Sequence, residues 1–158
     1  MIANKYYMGS GKGRSKKSPL VAFDKALLDA GVGNYNLVRL SSILPARCEK
    51  TDKIDIPEGS LLPVAYATIS SDVAGDILCS GVAIGFPDDT DKVGVIMEYS
   101  EIGADKSKVL TTLQRMVREA FDARGWKLKD ISYAVSSAVV KKDGEDTVTF
   151  ACVAEWWE

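Results

Sequence analysis

The stretch YNLVRLSSILP, residues 35–45, places two adjacent serines where a predicted strand ends and an apolar Ile-Leu-Pro follows. Tyr35 to Leu40 is rich in the apolar and aromatic residues that favour a strand. A pair such as Ser41-Ser42 most often forms a turn, in which the hydroxyl groups bond the local backbone. Whether these serines also take part in a reaction has to be judged from the rest of the sequence.

Composition limits the class of protein and the kind of partner. With 158 residues, of which 46% are hydrophobic, residues 1–158 are predicted to form a single domain around one core. The net charge of -2 gives no reason to expect nucleic acid or an anionic membrane as a partner. The N-terminus lacks the apolar core of a signal peptide, and no stretch approaches the roughly 20 apolar residues of a membrane span. We therefore expect a cytoplasmic protein whose partners are small molecules or other subunits.

The sequence contains no histidine, which restricts its chemistry more than any other single fact. The Ser-His-Asp and Cys-His systems are excluded, and so is every histidine metal ligand. The three cysteines are widely spaced and lack a CxxC pair, so we expect no disulfide framework and no metal site. Proton transfer must use Glu, Asp, Tyr, Lys, Cys or a cofactor.

Capping residues and apolar periodicity predict two helices. The first has Ser18 as N-cap, Pro19 at its first position and Gly31 just beyond its end, and its apolar stripe comprises Leu20, Phe23, Leu27 and Leu28. The second has Asp105 as its cap, Gly125 beyond its end and a long apolar face that includes Val109, Leu113, Val117 and Phe121.

The remaining segments predict about six or more strands. A short strand at 5–8 is followed by the Gly- and Ser-rich run GSGKGRSKKS, which is interpreted as a mobile loop rather than a phosphate-binding loop because Gly13 follows Lys12. Further strands are predicted at 35–40, 62–70, 75–86 and 92–99, and a terminal hairpin at 131–140 and 147–156. Strands among two helices, without regular alternation, predict an α+β layered domain in which two packed sheets have helices outside.

Four blocks of the sequence together resemble the pyruvoyl-dependent arginine decarboxylase family. In family order they are SPLVAFDKALLDAGVGNYNLVRLSSILP, PEGSLLPVAYATISSD, VGVIMEY and FDARGW, and they span about residues 18–126. The resemblance implies a four-layer αββα sandwich of two mainly antiparallel sheets with outer helices. It also implies a trimer, or a multiple of it, of processed αβ protomers with active sites between neighbours.

The resemblance also implies a use for the two serines. A serine needs no histidine if its target is its own backbone, because Ser42 Oγ is held beside the carbonyl carbon of Ser41. Autocatalytic cleavage there would give a β subunit, 1–41, and an α subunit, 42–158, that begins with a covalent pyruvoyl group derived from Ser42. No PLP and no metal would be needed. The substrate, arginine, would form a Schiff base with this group and yield agmatine, a precursor in polyamine biosynthesis, and carbon dioxide.

Site residues follow from the same resemblance, position by position. Glu98 is implied as the catalytic acid, Asp24 as the partner of the substrate guanidinium and Asn36 as a donor during processing. Six residues of straight strand would separate Asn36 from Ser42 by roughly 20 Å, so either the chain bends sharply or a neighbouring subunit supplies this donor. Read physically, Glu98 in the apolar strand VGVIMEY would have a raised pKa, although an acid at a strand end often reaches solvent. Ile43 and Leu44, just after the pyruvoyl group, are expected to line the apolar stem of the substrate pocket.

Two other functions stay open on the sequence. One is a pyruvoyl-dependent decarboxylase of another amino acid. The other is a catalytically silent assembly or binding domain, in which Ser41 and Ser42 stay joined.

Overall fold

The computed structural model describes residues 2–157. Along the chain the elements are β1 (Lys5–Ser15), α1 (Pro19–Asp29), β2 (Asn36–Arg39), β3 (Ile43–Leu44), β4 (Glu49–Lys50), β5 (Leu61–Ser71), β6 (Ile77–Pro87), β7 (Gly94–Ile102), α2 (Lys106–Arg124), β8 (Leu128–Val139) and β9 (Asp146–Trp156). A five-stranded sheet has the order β2-β5-β9-β1-β4, and a four-stranded sheet has the order β3-β7-β6-β8. β1 pairs in parallel with β4, and β2 pairs in parallel with β5. The other strand pairs of the described chain are antiparallel.

Three hydrophobic clusters lie between four layers, where the sequence predicted one core. The cluster between α1 and the five-stranded sheet includes Ala22, Ala26, Phe150 and Cys152. The cluster between the two sheets includes Ala65, Ala67, Val82, Ile84, Ile96, Ala151 and Val153. The cluster between the four-stranded sheet and α2 includes Val109, Leu113, Val117 and Phe121. The predicted α+β fold, an αββα sandwich with mainly antiparallel sheets and outer helices, is confirmed.

The helix ends agree with the capping predictions. Ser18 accepts a hydrogen bond from Val21 N, and Asp105 accepts one from Lys108 N at 2.9 Å. Gly125 ends α2 in the left-handed region at φ 64°. These caps satisfy backbone donors that have no partner inside the helix. Neither helix in the described range combines the length and the apolar character that a membrane crossing requires.

The apolar stripe predicted for α1 is only partly correct. The residues that face the sheet most directly are the small Ala22 and Ala26, which are fully buried. Phe23 and Leu27 flank them and are partly buried. Leu20 and Leu28 instead point away from the core, and 73% and 51% of their surfaces are exposed. Leu20 and Leu28 therefore form an outer apolar face of this helix.

The predicted mobile loop after residue 8 is wrong, because β1 continues to Ser15 and pairs with β9 along its whole length. The glycines of this run lie directly under α1. A Cβ at Gly13 would stand 2.1 Å from Ala22 O, and one at Gly11 would stand 2.4 Å from Ala26 O. The glycines thus permit close contact between strand and helix, rather than flexibility.

The predicted terminal hairpin is also wrong, although both of its strands exist. β8 belongs to the four-stranded sheet and β9 to the five-stranded sheet, so the connection between them crosses from one layer to the other. The strands predicted at 35–40, 62–70, 75–86 and 92–99 are present as β2, β5, β6 and β7, with small shifts at their ends.

Candidate active site

The two serines lie where the chain passes from one sheet to the other. β2 belongs to the five-stranded sheet, and Leu40 N still donates to Val64 O of that sheet at 3.0 Å. β3 belongs to the four-stranded sheet, and Ser42 O already accepts from Ile96 N at 2.8 Å. Ser41 is exposed, and Ser42 is half-buried. The peptide bond between the serines is therefore anchored on both sides, by hydrogen bonds to different sheets.

Glu98 lies on the strand next to this crossover. The antiparallel register of β3 and β7 places Ser42 opposite Ile96, and Glu98 follows two residues later along β7. Because side chains alternate along a strand, Glu98 shares the face of Ile96, which packs between the sheets. Diagonal neighbours of this kind stand about 7–8 Å apart. A carboxyl group therefore faces the same side of the sheet as the Ser42 side chain.

Arg39 forms an ion pair with Glu98 that the sequence did not reveal. Arg39 Nη2 lies 2.7 Å from Glu98 Oε2, and the exposed fractions of the two side chains are 58% and 22%. The guanidinium also stacks over the Tyr66 ring, 4.4 Å from its centroid, and donates to Tyr66 O at 3.2 Å. The pKa of Glu98 is raised by burial, while the charge and hydrogen bond of Arg39 oppose this rise. The direction agrees with the prediction for a desolvated acid.

The ion pair borders a cleft of about 340 Å³ at the open edge between the sheets. Its lining is mostly polar and comprises Arg39, Ala67, Thr68, Glu98, Tyr99 and Ser100. Ser100 Oγ donates to the buried Ser80 Oγ at 2.9 Å, which in turn lies 2.8 Å from Thr149 Oγ1. Hydroxyl groups thus extend from the cleft into the centre of the sandwich.

Three other predicted site residues, Asn36, Ile43 and Leu44, do not line the cleft beside Glu98. Asn36 Nδ2 donates to Gly59 O at 2.7 Å, at the end of β2 that is distant from Ser42. Ile43 is partly exposed, whereas Leu44 is buried in the cluster between the sheets. No described hydrogen bond joins the Asn36 side chain to Glu98 or to either serine.

Asp24 lies two layers away from Glu98 within the same chain. It is exposed on α1, which covers the outer face of the five-stranded sheet, whereas Glu98 belongs to the four-stranded sheet. Leu20 and Leu28 stand one helical turn before and after it on the same outer face. A single chain therefore brings Ser42, Arg39 and Glu98 together and leaves Asp24 on an apolar surface elsewhere.

Comparisons with known proteins match almost the whole chain. The family model for pyruvoyl-dependent arginine decarboxylase matches residues 5–156. A protein of that name from Methanococcus aeolicus is 41% identical over 149 residues, which are 94% of this chain and 87% of the relative. One from Methanocaldococcus jannaschii is 39% identical over 150 residues, 95% of this chain and 87% of the relative. One from Thermococcus sibiricus is 42% identical over 134 residues, 84% of this chain and 82% of the relative. A family model and relatives that cover the chain from β1 to β9 make this protein a member of the pyruvoyl-dependent arginine decarboxylase family.

Proposed function

We propose that this chain cleaves itself between Ser41 and Ser42 and then decarboxylates L-arginine to agmatine and carbon dioxide. Family membership supports the activity. The observation that carries the proposal in this molecule is the position of the Ser41-Ser42 peptide, anchored to both sheets beside Glu98. A peptide held at both ends can be oriented for attack by its own side chain, and this orientation replaces the missing histidine.

Self-cleavage would proceed through an ester, an elimination and a hydrolysis. Ser42 Oγ attacks the carbonyl carbon of Ser41 and the bond to Ser42 N breaks, which converts the amide into an ester. Loss of the Ser42 α-proton expels the Ser41 carboxylate and leaves a double bond in residue 42. Tautomerisation to an imine and addition of one water then release one ammonia and leave a pyruvoyl group. The products are fragments 1–41 and 42–158 of one domain.

A pyruvoyl group provides a carbonyl that forms a Schiff base with a primary amine and accepts the electrons released with carbon dioxide. The protein residues supply the rest. Glu98, partly desolvated by burial, would deliver the proton that replaces the carboxylate on the α-carbon. Ile43 and Leu44 would flank the substrate stem and limit the access of water. Asn36, which lies at the end of β2 distant from the Ser42 of its own chain, would donate a hydrogen bond during processing to a neighbouring subunit.

Asp24 would complete the site of a neighbouring subunit in a trimer of processed protomers. Its carboxylate lies too many layers from Glu98 to serve its own chain. Its position between the exposed Leu20 and Leu28 suits a surface that another subunit covers. A carboxylate offers a guanidinium two parallel hydrogen bonds, a geometry that favours arginine over most other amino acids.

The decisive experiment is intact-mass spectrometry of the denatured protein, with and without borohydride. We expect two chains separated after Ser41. The larger chain should lack the mass of one ammonia relative to an N-terminal serine and should gain two hydrogens on reduction. Ser42→Ala should stay joined, whereas Ser41→Ala should still cleave because the attack uses only the backbone carbonyl of residue 41.

Two outcomes would overturn parts of the proposal. A single chain that persists after long incubation, and that does not react with borohydride, would favour the silent assembly or binding domain. Cleaved protein that releases carbon dioxide from another amino acid, but not from arginine, would leave the chemistry intact and replace the substrate.

A further inference from the structure

Arg39 occupies an unusual position relative to the peptide that is proposed to break. It is the last residue of β2 and precedes Ser41 by two residues, yet its guanidinium contacts the strand that carries Glu98. Stacking on the Tyr66 ring and the bond to Tyr66 O hold the guanidinium against the five-stranded sheet. Arg39 therefore connects the chain just before the scissile bond to the proposed acid.

This ion pair works against the role of Glu98 as an acid. A neighbouring guanidinium favours the charged carboxylate, which has no proton to donate. Among the described residues that line the cleft, Arg39 is the charged group that acts on Glu98. The other titratable group there, Tyr99, donates its hydroxyl to Glu101 instead. Release of Glu98 for proton donation therefore depends on Arg39.

Cleavage would change the charge beside Arg39. The new C-terminal carboxylate at Ser41 would lie two residues from Arg39, so the two Cα atoms would be at most about 7 Å apart. No compensating ammonium would appear on residue 42, because its nitrogen leaves as ammonia. Arg39 Nη2 makes the described bonds to Glu98 and Tyr66, and a guanidinium has five N–H donors in all. The new carboxylate would therefore either displace Glu98 or share its cation.

We propose that cleavage itself frees Glu98 to act as the catalytic acid, because the carboxylate created at Ser41 takes over the positive charge of Arg39. The inference rests on the proposed function and assigns Arg39 as a positioning residue. In the joined chain Arg39 opposes the rise in the pKa of Glu98 that burial causes, and its hydrogen bond holds Glu98 against β2. After cleavage one guanidinium faces two carboxylates, and burial of Glu98 then favours its protonated form.

The test is a pH titration of Glu98 in the joined and the cleaved protein. Proteins with ¹³C-labelled glutamate side chains are followed by carboxyl NMR, and Glu98→Gln identifies the signal. Ser42→Ala supplies the joined chain, and the matured wild type supplies the cleaved one. We expect the pKa of Glu98 to be higher in the cleaved protein by about one unit or more. The difference should vanish largely in Arg39→Gln and persist in Arg39→Lys.

Each outcome has a definite meaning. Equal Glu98 titrations in cleaved wild type and Ser42→Ala would overturn this inference and leave the proposed function standing. A wild-type chain that never cleaves would overturn both, and intact mass distinguishes the two cases. An Arg39 with only a structural role would lower the melting temperature when replaced by Gln, yet would leave the cleavage-linked shift unchanged. The comparison of wild type with Ser42→Ala does not depend on how the Arg39 variants fold.

Discussion

The carboxylate of Asp24 is the group that would select arginine among possible amino acids. Replacing it by Asn removes the charge and keeps the size, so kcat/KM for arginine should fall about 10- to 100-fold through the loss of charged hydrogen bonds. Cleavage should stay complete, because the proposed attack uses the Ser42 hydroxyl and the Ser41 carbonyl, whereas Asp24 is assigned to the substrate guanidinium. Asp122→Asn, an exposed position on α2, is the matched control in a carbon dioxide release assay. Unchanged arginine kinetics in Asp24→Asn would show that this carboxylate does not bind the guanidinium.

Glu155 gives the protein a pH-dependent stability that is separate from the site. Only 5% of this residue is exposed, and its Oε1 has no described hydrogen-bond partner. Burial raises its pKa from 4.5 to about 7. The folded protein therefore binds the proton more tightly than the unfolded chain, and the free energy of unfolding falls as pH rises from about 4.5 to 7. The whole shift corresponds to about 3 kcal/mol.

Glu155→Gln should remove the fall in the free energy of unfolding that accompanies the rise in pH. We expect its melting temperature to depend less on pH than that of the wild type and to exceed the wild-type value above pH 7. The measurement is thermal unfolding of the Ser42→Ala background, which avoids a cut chain, across pH 4 to 8. Glu119→Gln, an exposed position on α2, should follow the wild-type curve. Parallel curves for wild type and Glu155→Gln would contradict the assignment.

Individual site residues differed in how far the sequence could reveal them. The serines and Glu98 lie in short, distinctive blocks, and the raised pKa of Glu98 follows from its apolar strand. Arg39 could not be found in the same way, because it pairs with a residue 59 positions away. Only the packing of the two sheets brings Arg39 of β2 and Glu98 of β7 together. The roles of Asn36, Asp24, Ile43 and Leu44 stay predictions.

At the scale of elements, the contact between β1 and α1 can be tested by one methyl group. Gly13→Ala would place a Cβ 2.1 Å from Ala22 O, so α1 must move away from the sheet. We expect a loss of about 1–3 kcal/mol in the free energy of unfolding, measured with urea in the Ser42→Ala background. Ser10→Ala, at an exposed position of the same strand, should change it by less than about 0.5 kcal/mol. Equal stabilities would mean that the helix does not rest on the glycines.

Elements with strong local signals were predictable, and those defined by packing were not. Both helices follow from their caps and apolar periodicity, as Ser18 and Asp105 illustrate. The glycines of β1 were misinterpreted, because the same residue type gives flexibility in a loop and close approach under a helix. The hairpin failed for a related reason. A short connection can join two strands that pair with each other, or two strands in facing sheets, as β8 and β9 are.

At the scale of the whole molecule, the outer face of α1 predicts an assembly. Replacing Leu20 and Leu28 together by Glu should separate the proposed trimer into αβ protomers, because charged groups would be buried at the contact. Light scattering gives the mass, and circular dichroism shows whether the fold persists. Decarboxylation should be lost with the assembly if sites lie between neighbours. Gln114→Glu, exposed on α2, should leave the mass unchanged. A wild-type protein that is monomeric would contradict the prediction directly.

The position of Ser41 and Ser42 at the crossover also determines the order in which folding and cleavage must occur. Fragment 1–41 would contribute β1, α1 and β2, and β1 lies inside the five-stranded sheet between β9 and β4 of the other fragment. A cut there would leave two polypeptides held together by strand pairing and core contacts alone. Folding must therefore come first and breakage second. Once unfolded, the cut protein would have to find its partner again by diffusion, so its recovery would depend on concentration, whereas the uncut chain could refold alone.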